Sequence, residues 1–126
     1  MVYNEGHDLS WRVIGLAIEV HHQLGPGLLE RVYVECLCYE LRQAAIPFLR
    51  QTRLPLCYKA VELNCGFLID LVVDNSLIVE IKAVDQILPV HDAQLLTYLR
   101  LSSIPLGLLM NFNSVVLKDG IRRRRI

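Results

Sequence analysis

Phe67-Leu68-Ile69-Asp70-Leu71-Val72-Val73 and Leu77-Ile78-Val79-Glu80-Ile81-Lys82-Ala83-Val84 are two apolar runs separated only by Asp74-Asn75-Ser76. Their short length, β-branched content and polar break predict two adjacent strands. Each run holds a carboxylate among aliphatic residues. A buried carboxylate is costly unless it is paired, hydrogen-bonded or bound to a metal. Two carboxylates and a lysine set in such surroundings point to a site for a hard cation.

Strand geometry tests whether the carboxylates can meet. Side chains alternate along a strand, so Glu80 and Lys82 share a face with Ile78, and Asp70 shares one with Leu68 and Val72. A two-residue turn at Asn75-Ser76 would oppose Asp70 to Ile81 and put the carboxylates on opposite faces. A three-residue loop at Asp74-Asn75-Ser76 opposes Asp70 to Glu80, within about 5.5 Å between backbones. Asn is a fitting occupant of the left-handed position such a loop needs. The three-residue loop, or an equivalent bulge, is therefore the expectation.

Outward from this hairpin, helical spacing predicts a first helix over Leu9–Leu24. It has one apolar stripe of Leu9, Val13, Leu16, Ala17 and Val20 and a second of Trp11, Ile14 and Ile18, so it is expected to be covered on more than one side. His21-His22 precede the stop signal Gly25-Pro26 and read as favourable charge at a helix end. A second helix is expected over Leu28–Ala45, with Glu30, Tyr33, Leu37, Leu41 and Ala44 facing inward and Arg31 paired to Glu35 at the surface. Glu30 is thus an acid on a packing face near a helix N-terminus, where capping of free amides is its simplest role. Strands are expected over Phe48–Tyr58, interrupted at Pro55, and over Ala60–Leu63. Pro89 opens a third helix to Leu101, followed by a strand over Pro105–Phe112. Val115–Lys118 and Ile121–Ile126 are expected to form a terminal hairpin about Asp119-Gly120. This order gives an α/β (α+β) class, a mixed central β-sheet flanked by helices, in a single domain over 1–126.

Composition narrows the function. At 53% hydrophobic and 21% charged, the 126-residue chain is not disordered. No apolar stretch approaches a membrane span, and the N-terminal Met-Val-Tyr-Asn-Glu lacks a signal-peptide pattern, so a cytoplasmic location is expected. The apolar content is high for a monomer and leaves room for a homodimer or a protein partner. The four cysteines are read as reduced, partly buried thiols. Cys36 and Cys38 point to different helix faces, and Cys57 and Cys65 lack zinc-site spacing. Thirteen basic residues balance thirteen acidic ones, which argues against strong nonspecific nucleic-acid binding. Charge is nonetheless concentrated at Arg122-Arg123-Arg124-Arg125 and, more loosely, at Arg50, Arg53 and Lys59. The arginine tail reads as a solvated terminus, with docking on nucleic acid or acidic protein as the alternative.

Gly27-Leu28-Leu29-Glu30-Arg31-Val32-Tyr33 fits the signature GxxExxY. Together with Ile69–Val73, Val79–Ala83, His91–Leu99 and Gly107–Phe112, it makes nearly the whole chain resemble the GxxExxY family, a branch of the PD-(D/E)XK nuclease superfamily. Asp70 and Glu80-Ile81-Lys82 match that superfamily's motif, with Ile69 in the loose position before the aspartate. The resemblance implies a restriction-endonuclease-like core and Mg²⁺-dependent hydrolysis of phosphodiester bonds, with Mn²⁺ as a substitute. It implies Asp70, Glu80, the Ile81 carbonyl and Glu30 as metal ligands or holders of metal-bound water. It further implies Lys82 as the group that orients the attacking water or stabilises developing charge, and Gln94 as a positioning residue. Nucleic acid, chiefly DNA, is the implied partner, with Arg53, His91, Tyr98, Arg122 and Arg123 as candidate contacts. The competing reading is a module that keeps the fold without turnover and acts with a partner.

Overall fold

The computed structural model describes residues 5–126. Met1–Asn4, at the start of the stretch read for a signal peptide, lie outside the described residues. The elements are α1 (Glu5–Leu24), α2 (Glu30–Gln43), β1 (Phe48–Tyr58), β2 (Val61–Val73), β3 (Leu77–Lys82), α3 (Pro89–Ser102), β4 (Leu106–Asn111), a 3₁₀ turn (Leu117–Gly120) and β5 (Ile121–Arg125). The sheet order is β1-β2-β3-β4-β5, with β3 and β4 parallel and every other pair antiparallel. This is the mixed sheet the sequence predicts. No described helix is long and apolar enough to cross a membrane.

Two apolar layers cover the sheet. On one face, Leu9, Val13, Ala17 and Val20 of α1 and Tyr33, Leu37 and Leu41 of α2 pack on Leu71, Val79, Ile81, Leu108 and Met110. On the other, Leu95, Tyr98 and Leu99 of α3 pack on Val72, Ile78 and Leu109. β3 and β4 are covered from both sides, which is why they read as unbroken apolar runs. α3 sits so close that a Cβ on Gly107 would lie 2.8 Å from Leu95 Cδ1.

Several expectations change. The second stripe of α1 is covered only in part: Ile14 packs against the core, while Trp11 and Ile18 are exposed, because α2 and the sheet meet chiefly the Leu9–Val20 side. Glu35 pairs with Arg50 of β1 at 2.6 Å instead of with Arg31, since β1 brings a cation across from another element. The expected break at Pro55 is only a register shift between Leu54 and Leu56, so β1 and β2 run on as one long hairpin about Lys59-Ala60. Its outer part projects beyond the core, leaving Tyr58, Val61 and Leu63 exposed. Cys57 and Cys65 lie on that exposed part, so only Cys36 and Cys38 are shielded; all four thiols are free.

The C-terminal hairpin does not form. Residues 117–120 turn as a 3₁₀ helix, and β5 pairs with β4 instead. β4 would otherwise be an open edge, and a strand bearing four arginines makes a charged edge that resists further pairing. The arginine tail is thus part of the sheet. Gly120 permits the approach, since a Cβ there would lie 2.7 Å from the Asn111 carbonyl and closer still to Ser114 Oγ. His21 fastens the same region from α1, its Nε2 lying 2.8 Å from the Ser114 carbonyl oxygen.

Candidate active site

The loop after β2 sets the register. Asp74 and Asn75 both adopt left-handed backbone (φ 51° and 53°), and Ser76 N–H donates to the Val73 carbonyl. Val73 then faces Leu77, Val72 faces Ile78, and Leu71 faces Val79. One residue further, the same register sets Asp70 opposite Glu80, as the three-residue loop requires. There the backbone ladder stops and side chains take over. The Asp70 amide donates to Glu80 Oε1 at 3.0 Å, and the Ile81 amide donates to Asp70 Oδ2 at 2.8 Å. Beyond this rung β2 leaves with β1 while β3 continues beside β4, so the carboxylates stand where the sheet divides.

Burial and mutual repulsion shape the pair. Glu80 is 5% exposed, and its carboxyl is pushed up to about 8, first by burial and then by the neighbouring Asp70 charge. The amide of Asp70 and the ammonium of Lys82 oppose that rise without cancelling it. Tyr98 lies in the same field: burial, and then the charges of Glu80 and Asp70, raise its phenol. At the end of β3, Asn111 Nδ2 donates to the Val84 carbonyl and its Oδ1 accepts from the Val84 amide, fixing the chain just past Lys82.

Asp70 also lines a cleft of about 180 Å³ with Glu30, Arg31 and Val34 of α2 and Arg50 and Gln51 of β1. Gln51 has φ 51°, and near it the strict facing of β2 fails: Ile69 and Val72 pack toward α3 while Leu71 packs toward α2. The expected shared face of Leu68, Asp70 and Val72 is therefore broken, and Asp70 opens toward α2. No sequence signal marks Gln51 for this conformation.

Glu30 is exposed at the first turn of α2, not inward as its stripe implies. Among the described residues no three His, Cys, Asp or Glu side chains gather closely enough to hold a metal ion. Glu30 thus shares the cleft with Asp70 but does not join the pair in one ligand set. Two carboxylates still suit Mg²⁺, which is commonly held by one or two carboxylates while it keeps several waters.

Tyr33 explains how the cleft wall is held. Its hydroxyl donates to the Gly25 carbonyl at 2.7 Å and accepts from the Leu28 amide at 3.1 Å, while its ring stacks on Phe112 at 4.6 Å. The loop leading to Glu30 is thereby tied to the core. Tyr33→Phe is expected to cost about 0.5–1.5 kcal/mol in urea unfolding, and the Leu28 amide is expected to exchange faster with solvent.

The other sequence candidates lie elsewhere. Tyr98 is 4% exposed and meets Phe67 edge-on, so it packs the core and cannot present its ring to nucleic acid. His91 Nδ1 accepts from the Leu88 amide at the start of α3. Gln94 is exposed on α3, and Arg53 is exposed on β1. Arg122 and Arg123 occupy β5, two strands from Glu80.

A family model described as the PD-(D/E)XK nuclease superfamily matches residues 7–124. No curated protein and no solved structure gives a significant match.

Proposed function

Because the chain belongs to the PD-(D/E)XK nuclease superfamily, we propose that it is a divalent-metal-dependent nuclease whose reacting centre is Asp70, Glu80 and Lys82. The observation that carries this reading is the opposed carboxylate pair. Each carboxylate accepts from one backbone amide, and the two carboxyl groups stand within side-chain hydrogen-bond reach of each other. Lys82 follows on the same strand, with its charge felt at Glu80.

Asp70 and Glu80 would hold Mg²⁺, or Mn²⁺ in its place, with the Ile81 carbonyl as a further oxygen. Bound there, the ion supplies Lewis-acid polarisation of the scissile phosphate and a more acidic water. Lys82 donates to the attacking water or to the phosphate oxygens on which negative charge develops. Glu30, on the cleft wall, acts from outside the ligand set by holding a water or a nearby cation. Gln94 remains a positioning candidate on α3. The GxxExxY motif supports placement in the branch named for it; on this reading the chain is one domain over 1–126 of a cytoplasmic bacterial protein that works on DNA, alone, as a homodimer or with a protein partner. Cleavage of single-stranded, duplex and branched DNA, and of RNA, assayed with Mg²⁺, Mn²⁺ and EDTA, tests the proposal. Metal-dependent cleavage of any of these is expected; metal binding without cleavage of any of them overturns it.

One observation favours the second reading, a non-cutting module. Both carboxylates already serve the fold by ending the β2–β3 ladder, so their presence has a purpose even without turnover.

A further inference from the structure

β5 presents its arginines to two different faces. Arg122 pairs with Leu109 and Arg124 with Gly107, on the α3 side; Arg123 and Arg125 pair with Leu108 and Leu106, whose side chains enter the opposite core. Arg122 and Arg124 line a cleft of about 480 Å³ with Ile87, Leu88, Pro89 and Asp92 at the start of α3. Arg124 is already spent there, donating from Nη2 and Nε to Asp92 Oδ2 at 2.7 and 3.1 Å. Arg122 is exposed and makes no ion pair among the described residues.

The register links this cleft to the carboxylates. Glu80 pairs with Leu109 across β3–β4, and Leu109 pairs with Arg122 across β4–β5. Asp70, Glu80 and Arg122 therefore lie in one row across the sheet, on the α3 side at Glu80 and Arg122. Arg122 stands two strand spacings from Glu80, roughly 10 Å between backbones. A charged edge strand accounts for Arg123 and Arg125 as a guard against pairing. It does not account for an uncompensated guanidinium in a cleft level with the carboxylate pair.

We infer that Arg122 seats a backbone phosphate flanking the scissile bond, in the cleft between β5 and the start of α3. The inference rests on the nuclease reading of the Asp70–Glu80 pair. A substrate strand centred on the carboxylates carries a charge at each neighbouring nucleotide, and a guanidinium fork matches phosphate oxygens. The Asp92–Arg124 pair forms the wall and leaves Arg122 as the net positive charge.

Anisotropy titration of fluorescent single-stranded DNA, with Ca²⁺ in place of Mg²⁺, tests this. Arg122→Ala is expected to weaken binding roughly tenfold, the size of one charge-assisted hydrogen bond. The slope of log K against log salt is expected to fall by about 0.7, the release from one single-strand phosphate. Arg125→Ala removes the same charge from the other face and is expected to leave both quantities near wild type. In a scan replacing one phosphate at a time by neutral methylphosphonate, one flanking position is expected to matter in wild type and not in Arg122→Ala. Equal effects of Arg122→Ala and Arg125→Ala, or identical scans for wild type and Arg122→Ala, overturn the inference while leaving the nuclease reading intact. Failure of the wild-type protein to bind any DNA or RNA defeats that reading, and the inference falls with it.

Discussion

Lys82→Ala is expected to reduce metal-dependent cleavage on the order of 10²–10³-fold, the usual loss when one preorganised donor to a developing charge is removed. The fold should survive. Lys82 is only half-buried at the end of β3, its side chain makes no hydrogen bond among the described residues, and its backbone carbonyl still accepts from the Phe112 amide. The measurement is single-turnover cleavage beside a thermal melt of the same preparation. A rate within threefold of wild type would remove Lys82 from the reaction and, with it, the proposed centre. A variant that melts early would fail the comparison, and Lys82→Met, which keeps much of the aliphatic stem, then takes its place.

The second large effect is on stability. Glu80 ionises near 4.5 in the unfolded chain and at about 8 in the folded one, chiefly because burial disfavours its charge. A folded-state value above the unfolded one stabilises the protein fully below the unfolded value. That stabilisation is lost as pH rises through the folded value. In EDTA, wild-type stability is therefore expected to fall between about pH 4.5 and 8, by on the order of a few kcal/mol. Glu80→Gln keeps an oxygen for the Asp70 amide and carries no charge, so its melting curve is expected to be flatter across this window and higher than wild type at pH 8. Divalent ion should restore the wild type by mass action and leave Glu80→Gln nearly unmoved. Parallel pH profiles for the two proteins would contradict this account of Glu80.

Much of this site is legible in the chain because it depends on local arithmetic. The spacing from Asp70 to Glu80, with a three-residue loop between the strands, suffices to oppose the two carboxylates, and the structure adopts that loop. The central strands are equally readable, since β3 and β4 are covered on both faces and must be apolar throughout. What stays hidden depends on partners distant in sequence. Glu30 follows an inward stripe by spacing, yet the first turn of α2 overhangs a cleft instead of the core. Val115–Ile126 contains a good hairpin signal, but the open edge of β4 offers β5 a longer ladder than its own neighbours do. Arg31 loses Glu35 to Arg50 for the same reason, because the better-placed cation comes from another element. Tyr98, a candidate contact for nucleic acid toward the end of α3, turns out to be a core ring near the carboxylates.

The side-chain rung that ends the β2–β3 ladder has a consequence for any descendant that stops cutting. Asp70 and Glu80 splint two main-chain amides, so selection for folding alone would retain them, or their amide counterparts, long after catalysis had lapsed. No main-chain amide leans on the Lys82 ammonium. Drift at that lysine, rather than at the acids, is where retirement from chemistry would first be written.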